Sequence, residues 1–221
     1  MLVLYHLPLV PACRKIRLAL AEKGVAFQLK AEKIWERRPA FLALNPAGDV
    51  PVVEVDGRAV SGANAVAEYL EEAYPDPPLI PGDAAMRAEV RRLVDWFDIK
   101  FDREVTENLV GEKVMRRFLG RGQPDTQAIR AGRHNITIHL DYIAWLADRR
   151  SWLAGDALTY ADLAAAAHLS CVDYLGDVPW QHNPGAKDWY ARIKSRPSFR
   201  PLLIDKIAGL PPPRHYTDLD F

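Results

Sequence analysis

The chain has 221 residues, 49% hydrophobic and 26% charged, enough to bury a substantial core in one large domain or two small ones. Its 29 basic side chains are balanced by 29 acidic ones, so it lacks the basic excess by which nucleic-acid binders neutralise phosphate. No apolar run reaches the roughly 20 residues of a membrane span, and the start MLVLYHLPLV lacks the basic flank and cleavage site of a signal peptide. Two cysteines, Cys13 and Cys171, are too few for a disulfide framework, and the six histidines show no metal-ligand spacing. The expected setting is a reducing cytoplasm, without membrane insertion, metal or cofactor.

In chain order, Leu2-Val3-Leu4-Tyr5 is a short apolar run that predicts a first strand. His6 follows in a loop and is expected at the surface. From Pro11 the pattern turns helical, with Ile16, Leu18 and Leu20 set among basic residues and Gly24 placed to end the helix. Phe27 to Lys30 predicts a second strand. Pro51 to Val55, then Asp56-Gly57, then Arg58 to Val60 reads as a hairpin with its turn on Asp-Gly. A helix is expected from about Ala63 to Ala73.

The proline-rich stretch Tyr74 to Asp83 is the clearest boundary, and everything beyond it has helical spacing. Val90, Val94, Phe97 and Phe101 mark one long helix, with Asp83 as its N-cap. Ile129, Ile136, Leu140, Ile143 and Ala147 mark a second. Thr159-Tyr160-Ala161-Asp162 predicts a third that opens on a capping box and continues into the alanine run 164–167. The expected architecture is a small α/β domain (1–76), a linker (77–84), an all-helical domain (85–208) and a C-terminal tail (209–221).

These motifs together resemble the glutathione transferase superfamily, which joins a thioredoxin-like N-terminal domain to a helical C-terminal one. The resemblance rests on Leu4-Tyr5 with Pro11-Ala12-Cys13-Arg14-Lys15-Ile16-Arg17-Leu18, on Asn45-Pro46-Ala47-Gly48-Asp49-Val50-Pro51, on Asn64-Ala65-Val66-Ala67-Glu68-Tyr69-Leu70, and on the capping box with Arg196-Pro197-Ser198-Phe199. It implies a cis peptide between Val50 and Pro51 that offers the Val50 backbone to a thiol peptide.

A transferase must convert a thiol into its thiolate, with a Ser, Cys or Tyr donor near the start of the first helix. In the register of the resemblance that position is Val10, which donates nothing. Tyr5 and Cys13 remain as substitute groups for a divergent transferase or thiol-dependent isomerase. Packing roles are expected for both: a Tyr closing the first strand, and a free Cys facing the core. The family also grips the γ-glutamyl end with an acidic residue and a Ser or Thr before the third helix; here those positions read Gly62-Ala63. Two charge-assisted contacts at about 1.5–3 kcal/mol each are thereby missing.

Unusual residues lie elsewhere. Trp35 sits among charges in Glu32-Lys33-Ile34-Trp35-Glu36-Arg37-Arg38, and is either an interface anchor or a residue packed under its own loop. Lys113, Arg116 and Arg117 share a helical face beside Glu112, which reads as a solvated face or as a surface for an acidic partner. After Pro211-Pro212-Pro213, the terminus Arg214-His215-Tyr216-Thr217-Asp218-Leu219-Asp220-Phe221 mixes charge with aromatics, unlike a solvating tail. These stretches resemble one branch of the superfamily, the FtsZ-binding glutathione-transferase-like proteins (the FzlA branch). That likeness implies a non-catalytic homodimer that binds FtsZ filaments at the division site and regulates constriction. The implied partner contacts are Trp35, Arg37, Arg38, Glu112, Lys113, Arg116, Arg117, Arg214, His215, Tyr216, Asp218, Asp220 and Phe221. Removing residues 214–221 is expected to abolish filament binding while leaving the fold intact.

Overall fold

The computed structural model describes residues 1–219. Strand β1 (Leu2–His6) leads through a short loop into α1 (Pro11–Glu22), whose first helical position is proline, where no N–H is needed. β2 (Phe27–Ala31) returns parallel to β1. A 3₁₀ turn (Ile34–Glu36) and α2 (Pro39–Leu44) follow. β3 (Val52–Val55) and β4 (Arg58–Ser61) form the expected hairpin, with both turn residues, Asp56 and Gly57, at positive φ (50° and 79°). The sheet order is β2-β1-β3-β4, with β3 antiparallel to both its neighbours. α3 (Ala63–Ala73) covers it beside α1.

The helical region opens with α4 (residues 84–118). It runs as α-helix over Ala84–Asp95, with π winding over Trp96–Met115, and as α-helix again over Arg116–Phe118. Asp83 caps it, accepting from the Met86 N–H at 2.9 Å. Phe97, Phe101, Val105 and Leu109 are buried at every fourth position, a spacing that a wider winding keeps on one face. α5 (Thr126–Arg149) buries Ile136, Leu140 and Ile143 against α4. α6 (Tyr160–Tyr174) is buried at every residue, and its capping box is formed as expected. Its alanine run lets α1 and α4 pack closely around it, so α6 is the axis of the core. α7 (Pro184–Lys194) and α8 (Arg200–Leu203) complete the helices, and a 3₁₀ turn (Arg214–Thr217) follows.

One feature of α1 is not visible in its hydrophobic pattern. Arg14, Lys15 and Arg17 are all buried, and each is neutralised by an acid from the helical region. Arg14 and Arg17 share Asp205, and Lys15 pairs with Asp98. Buried cations are tolerated only with such partners, so the two regions are joined by ion pairs as well as by apolar contact.

Candidate functional site

The N-termini of α1 and α3 open onto one cavity of about 300 Å³, lined by Val10, Pro11, Ala12, Ala63 and Asn64 from the α/β region and by Asp98, Asp102 and His168 from the helical one. Val10 is the N-cap of α1 and Gly62 the N-cap of α3, and neither supplies a side-chain cap. Gly62 holds φ +86°, a conformation that disfavours any residue with a Cβ. Its N–H donates to the Pro51 carbonyl at 3.2 Å, next to the cis Val50–Pro51 bond. Val10 and Ala63, read from separate motifs, thus border the same cavity. Neither offers a hydroxyl, thiol or charge to it.

The cavity floor is polar but internally committed. Lys15 pairs with Asp98, and His168 Nε2 lies 3.5 Å from the same carboxylate. His168 Nδ1 is 2.8 Å from the Thr106 hydroxyl. Burial works to raise the Asp98 carboxyl, but His168 and Lys15 outweigh it and hold it below its ordinary range. Asp102 is pushed upward by burial.

The two substitute groups point elsewhere. Tyr5 is buried against Phe41, with ring centroids 5.6 Å apart, and its hydroxyl donates to Glu54 Oε2 at 2.9 Å. Burial and the Glu54 carboxylate raise the phenol, the opposite of what thiol activation needs. Cys13 is fully buried, and burial pushes its thiol up to about 12. Both therefore take the packing role expected of them.

His6 departs from expectation. It ends β1 rather than lying in a surface loop, and it is only 6% exposed. Its Nδ1 is buried without a hydrogen-bond partner. Burial, reinforced by Arg17 and Arg14 and opposed by Asp205, pushes the imidazole down to about 4 from an ordinary 6.5. Because the folded value lies below the unfolded one, the unfolded chain binds more protons between these two pH values. Stability referred to a His6→Leu variant is therefore expected to fall by about 2–3 kcal/mol as pH drops from 6.5 to 4, and to be flat outside that window. Paired denaturant titrations across pH check this. Shifts shared by both proteins, such as the raised Asp162 carboxyl, cancel in the difference.

The expected partner contacts divide into spent and available groups. Trp35 neither stands free nor packs under its own loop: it stacks on Phe118 of α4, with centroids 5.2 Å apart and planes 1° from parallel. Together with Val10, Val114 and Met115 this stack closes a small apolar chamber beside the first cavity. Arg38 forks onto buried Glu32. Glu112 accepts from Arg116 Nη1 at 3.2 Å and from the Asp125 N–H at 2.7 Å. Lys113 pairs with Asp177, which also takes Arg133. The basic face read from the sequence is thus partly neutralised within the chain: Arg116 by Glu112 four residues before it, and Lys113 by Asp177 far away in sequence. Arg37 and Arg117 remain exposed.

The tail requires the largest correction. Tyr216 is fully buried, edge-on to Tyr174 at 5.1 Å. Its hydroxyl accepts from Arg14 Nη1 and donates to the Leu202 carbonyl, both at 3.1 Å. His215 Nε2 lies 3.1 Å from the buried Asp173 carboxylate, and the His215 carbonyl accepts from Lys194 at 3.1 Å. Tyr216 is therefore core, while His215 is half-buried with its side chain 38% exposed, and removing residues 214–221 is expected to destabilise the fold rather than leave it intact. Arg214 and Asp218 are exposed on the same turn. Asp220 and Phe221 lie outside the described residues.

No helix among the described residues is long and apolar enough to cross a membrane. The N-terminal domain family of glutathione S-transferases matches residues 4–78, and the C-terminal domain family matches residues 138–197. The chain is 49% identical to FtsZ-localized protein A of Caulobacter vibrioides over 222 residues, covering 99% of this chain and 97% of that protein. A crystal structure of a glutathione S-transferase from Rhodospirillum rubrum F11 matches with TM-score 0.98 at 60% identity, each chain being covered completely. The structure of FzlA from C. crescentus matches with TM-score 0.95 at 48% identity, over 100% of this chain and 99% of that one. The chain therefore belongs to the glutathione S-transferase family, and over nearly its whole length it resembles FtsZ-localized protein A.

Proposed function

We propose that this protein is a non-catalytic member of the family that binds FtsZ filaments at the division site and regulates constriction as a homodimer. The observation that carries the reading is the 49% identity to FtsZ-localized protein A along almost the entire chain. The cavity supports it. Val10 and Ala63 border the cavity where the family would place a thiol donor and a carboxylate grip, and neither Tyr5 nor Cys13 takes over the chemistry. A dimer is supported by the apolar residues left on the outer face of α4 and α5: Ile99 (61% exposed), Ile138 (55%) and Trp145 (49%). Two equivalent copies related by a two-fold axis would cross-link filaments and gain by avidity.

Co-sedimentation with FtsZ and GTP tests the reading, with a glutathione conjugation assay run on the same preparation. The protein is expected in the filament pellet and to show no turnover. Its staying in the supernatant across salt and nucleotide conditions would remove the division role. Turnover with micromolar glutathione would instead favour the family's enzymatic reading, in keeping with the glutathione S-transferase from Rhodospirillum rubrum to which the chain is 60% identical.

A further inference from the structure

Residues 203–213 leave α8 as a strap across the C-terminal end of α6. Ile207 and Leu210 bridge antiparallel, and the Tyr174 hydroxyl locks the turn. It accepts from the Ile207 N–H at 2.9 Å and donates to the Leu210 carbonyl at 2.8 Å. Between this strap and the tail turn lies a groove of about 330 Å³, with walls from Leu203, Ile207, Leu210 and Pro212 and with Thr217 at one end. Ile204, beside it on the strap, is 75% exposed, the second most exposed large apolar side chain after Met1 among the described residues.

Three exposed cations lie around the groove, beside the acids Asp205 in its lining and Asp218 next to Thr217. Lys206 lines it, and the Arg117 guanidinium lies 3.2 Å from where a Cβ on the lining residue Gly209 would stand. Arg214 opens the tail turn whose far end is Thr217. All three cations are exposed, and none forms an ion pair among the described residues. The acid in the lining, Asp205, is already divided between Arg14 and Arg17. A preformed apolar trough ringed by uncommitted cations matches an acidic segment with an apolar side chain to bury.

We propose that this groove docks an acidic peptide segment of a partner protein, with one apolar side chain of that segment seated between the strap and the tail turn. From the filament-binding reading the proposal takes only that the partner is a protein. Tyr216 and His215 hold the groove's wall in place from behind, and Lys206, Arg117 and Ile204 make the contact.

The test is fluorescence anisotropy with a dye-labelled dodecapeptide rich in Asp and Glu around a central Leu-Phe pair. Two control peptides replace either the pair by serines or the acids by lysines. Saturable binding of the first peptide is expected, weakening with added salt and weakening about tenfold or more in a Lys206→Glu/Arg117→Glu protein. Ile204→Ser and the serine peptide are each expected to weaken it as well. Absence of saturable binding to the wild-type protein, equal binding of the lysine peptide, or indifference to the charge reversal would each overturn the proposal. Peptide selectivity on the wild-type protein decides the matter even if a variant is unstable. FtsZ co-sedimentation alongside separates the two ideas: pelleting without peptide binding rejects the groove alone, and peptide binding without pelleting rejects the filament reading alone.

Discussion

Replacing Tyr216 with alanine is expected to lower stability by about 3–5 kcal/mol and the unfolding midpoint by on the order of 10 °C. The ring is fully enclosed beside Tyr174, so truncation opens a cavity that a packed helical core closes only partly. Its hydroxyl also serves the buried Arg14 guanidinium, which loses one of its acceptors. Tyr216→Phe keeps the packing and is expected to cost only about 1–2 kcal/mol. Denaturant unfolding of both variants checks the ranking; an alanine variant as stable as wild type would mean that the tail does not dock. Loss of FtsZ binding on deleting residues 214–221 would accordingly report on stability as much as on contact. Arg214→Glu is the cleaner probe of the tail surface.

The second large effect is expected from Asp205→Ala, at about 3–5 kcal/mol of destabilisation. Among the described residues, Asp205 is the one carboxylate that neutralises both Arg14 and Arg17, at 3.2 Å and 2.7 Å. Arg14 has no exposure through which water reaches it once that partner is gone. Among the described residues Arg14 keeps neutral acceptors at the Pro8 carbonyl, Ser170 and Tyr216, but no compensating charge. Removing one partner of a buried pair costs far more than the pair contributes net, so Asp205→Ala combined with Arg14→Met is expected to recover part of the loss. A double variant no more stable than Asp205→Ala alone would show that the guanidinium is not the source of the cost.

Most of the fold was legible because its signals are local. The Asp56-Gly57 turn, the Asp83 cap, the Thr159–Asp162 capping box and the repeat at Val90, Val94, Phe97 and Phe101 each involve residues a few positions apart, and each forms as read. The partner surface was far less legible, since what removes a charge from the surface is a residue distant in sequence. Lys113 meets Asp177, 64 positions away, and Arg14 meets Tyr216, 202 away. The charged neighbours of Trp35 in sequence leave an interface anchor and a residue packed under its own loop equally open; its neighbour in space is Phe118 of α4. His6 was misplaced by one element: nothing local marks a histidine as the last residue of a buried strand. A lone Ile204 and a lone Lys206 carry no pattern in the sequence that marks them as a site. Only the folded strap, held by Tyr174, brings them to one groove.

The three buried cations of α1 have a consequence for how the molecule is made. A thioredoxin-like unit emerging first during synthesis would ordinarily be free to fold on its own. Here its first helix presents Arg14, Lys15 and Arg17 inward, toward carboxylates at Asp98 and Asp205 that are translated 83 to 191 residues later. Until Asp205 arrives, the face that α1 will bury must stay hydrated. The N-terminal region is therefore expected to reach its final packing only with the rest of the chain, the two regions folding together rather than in succession.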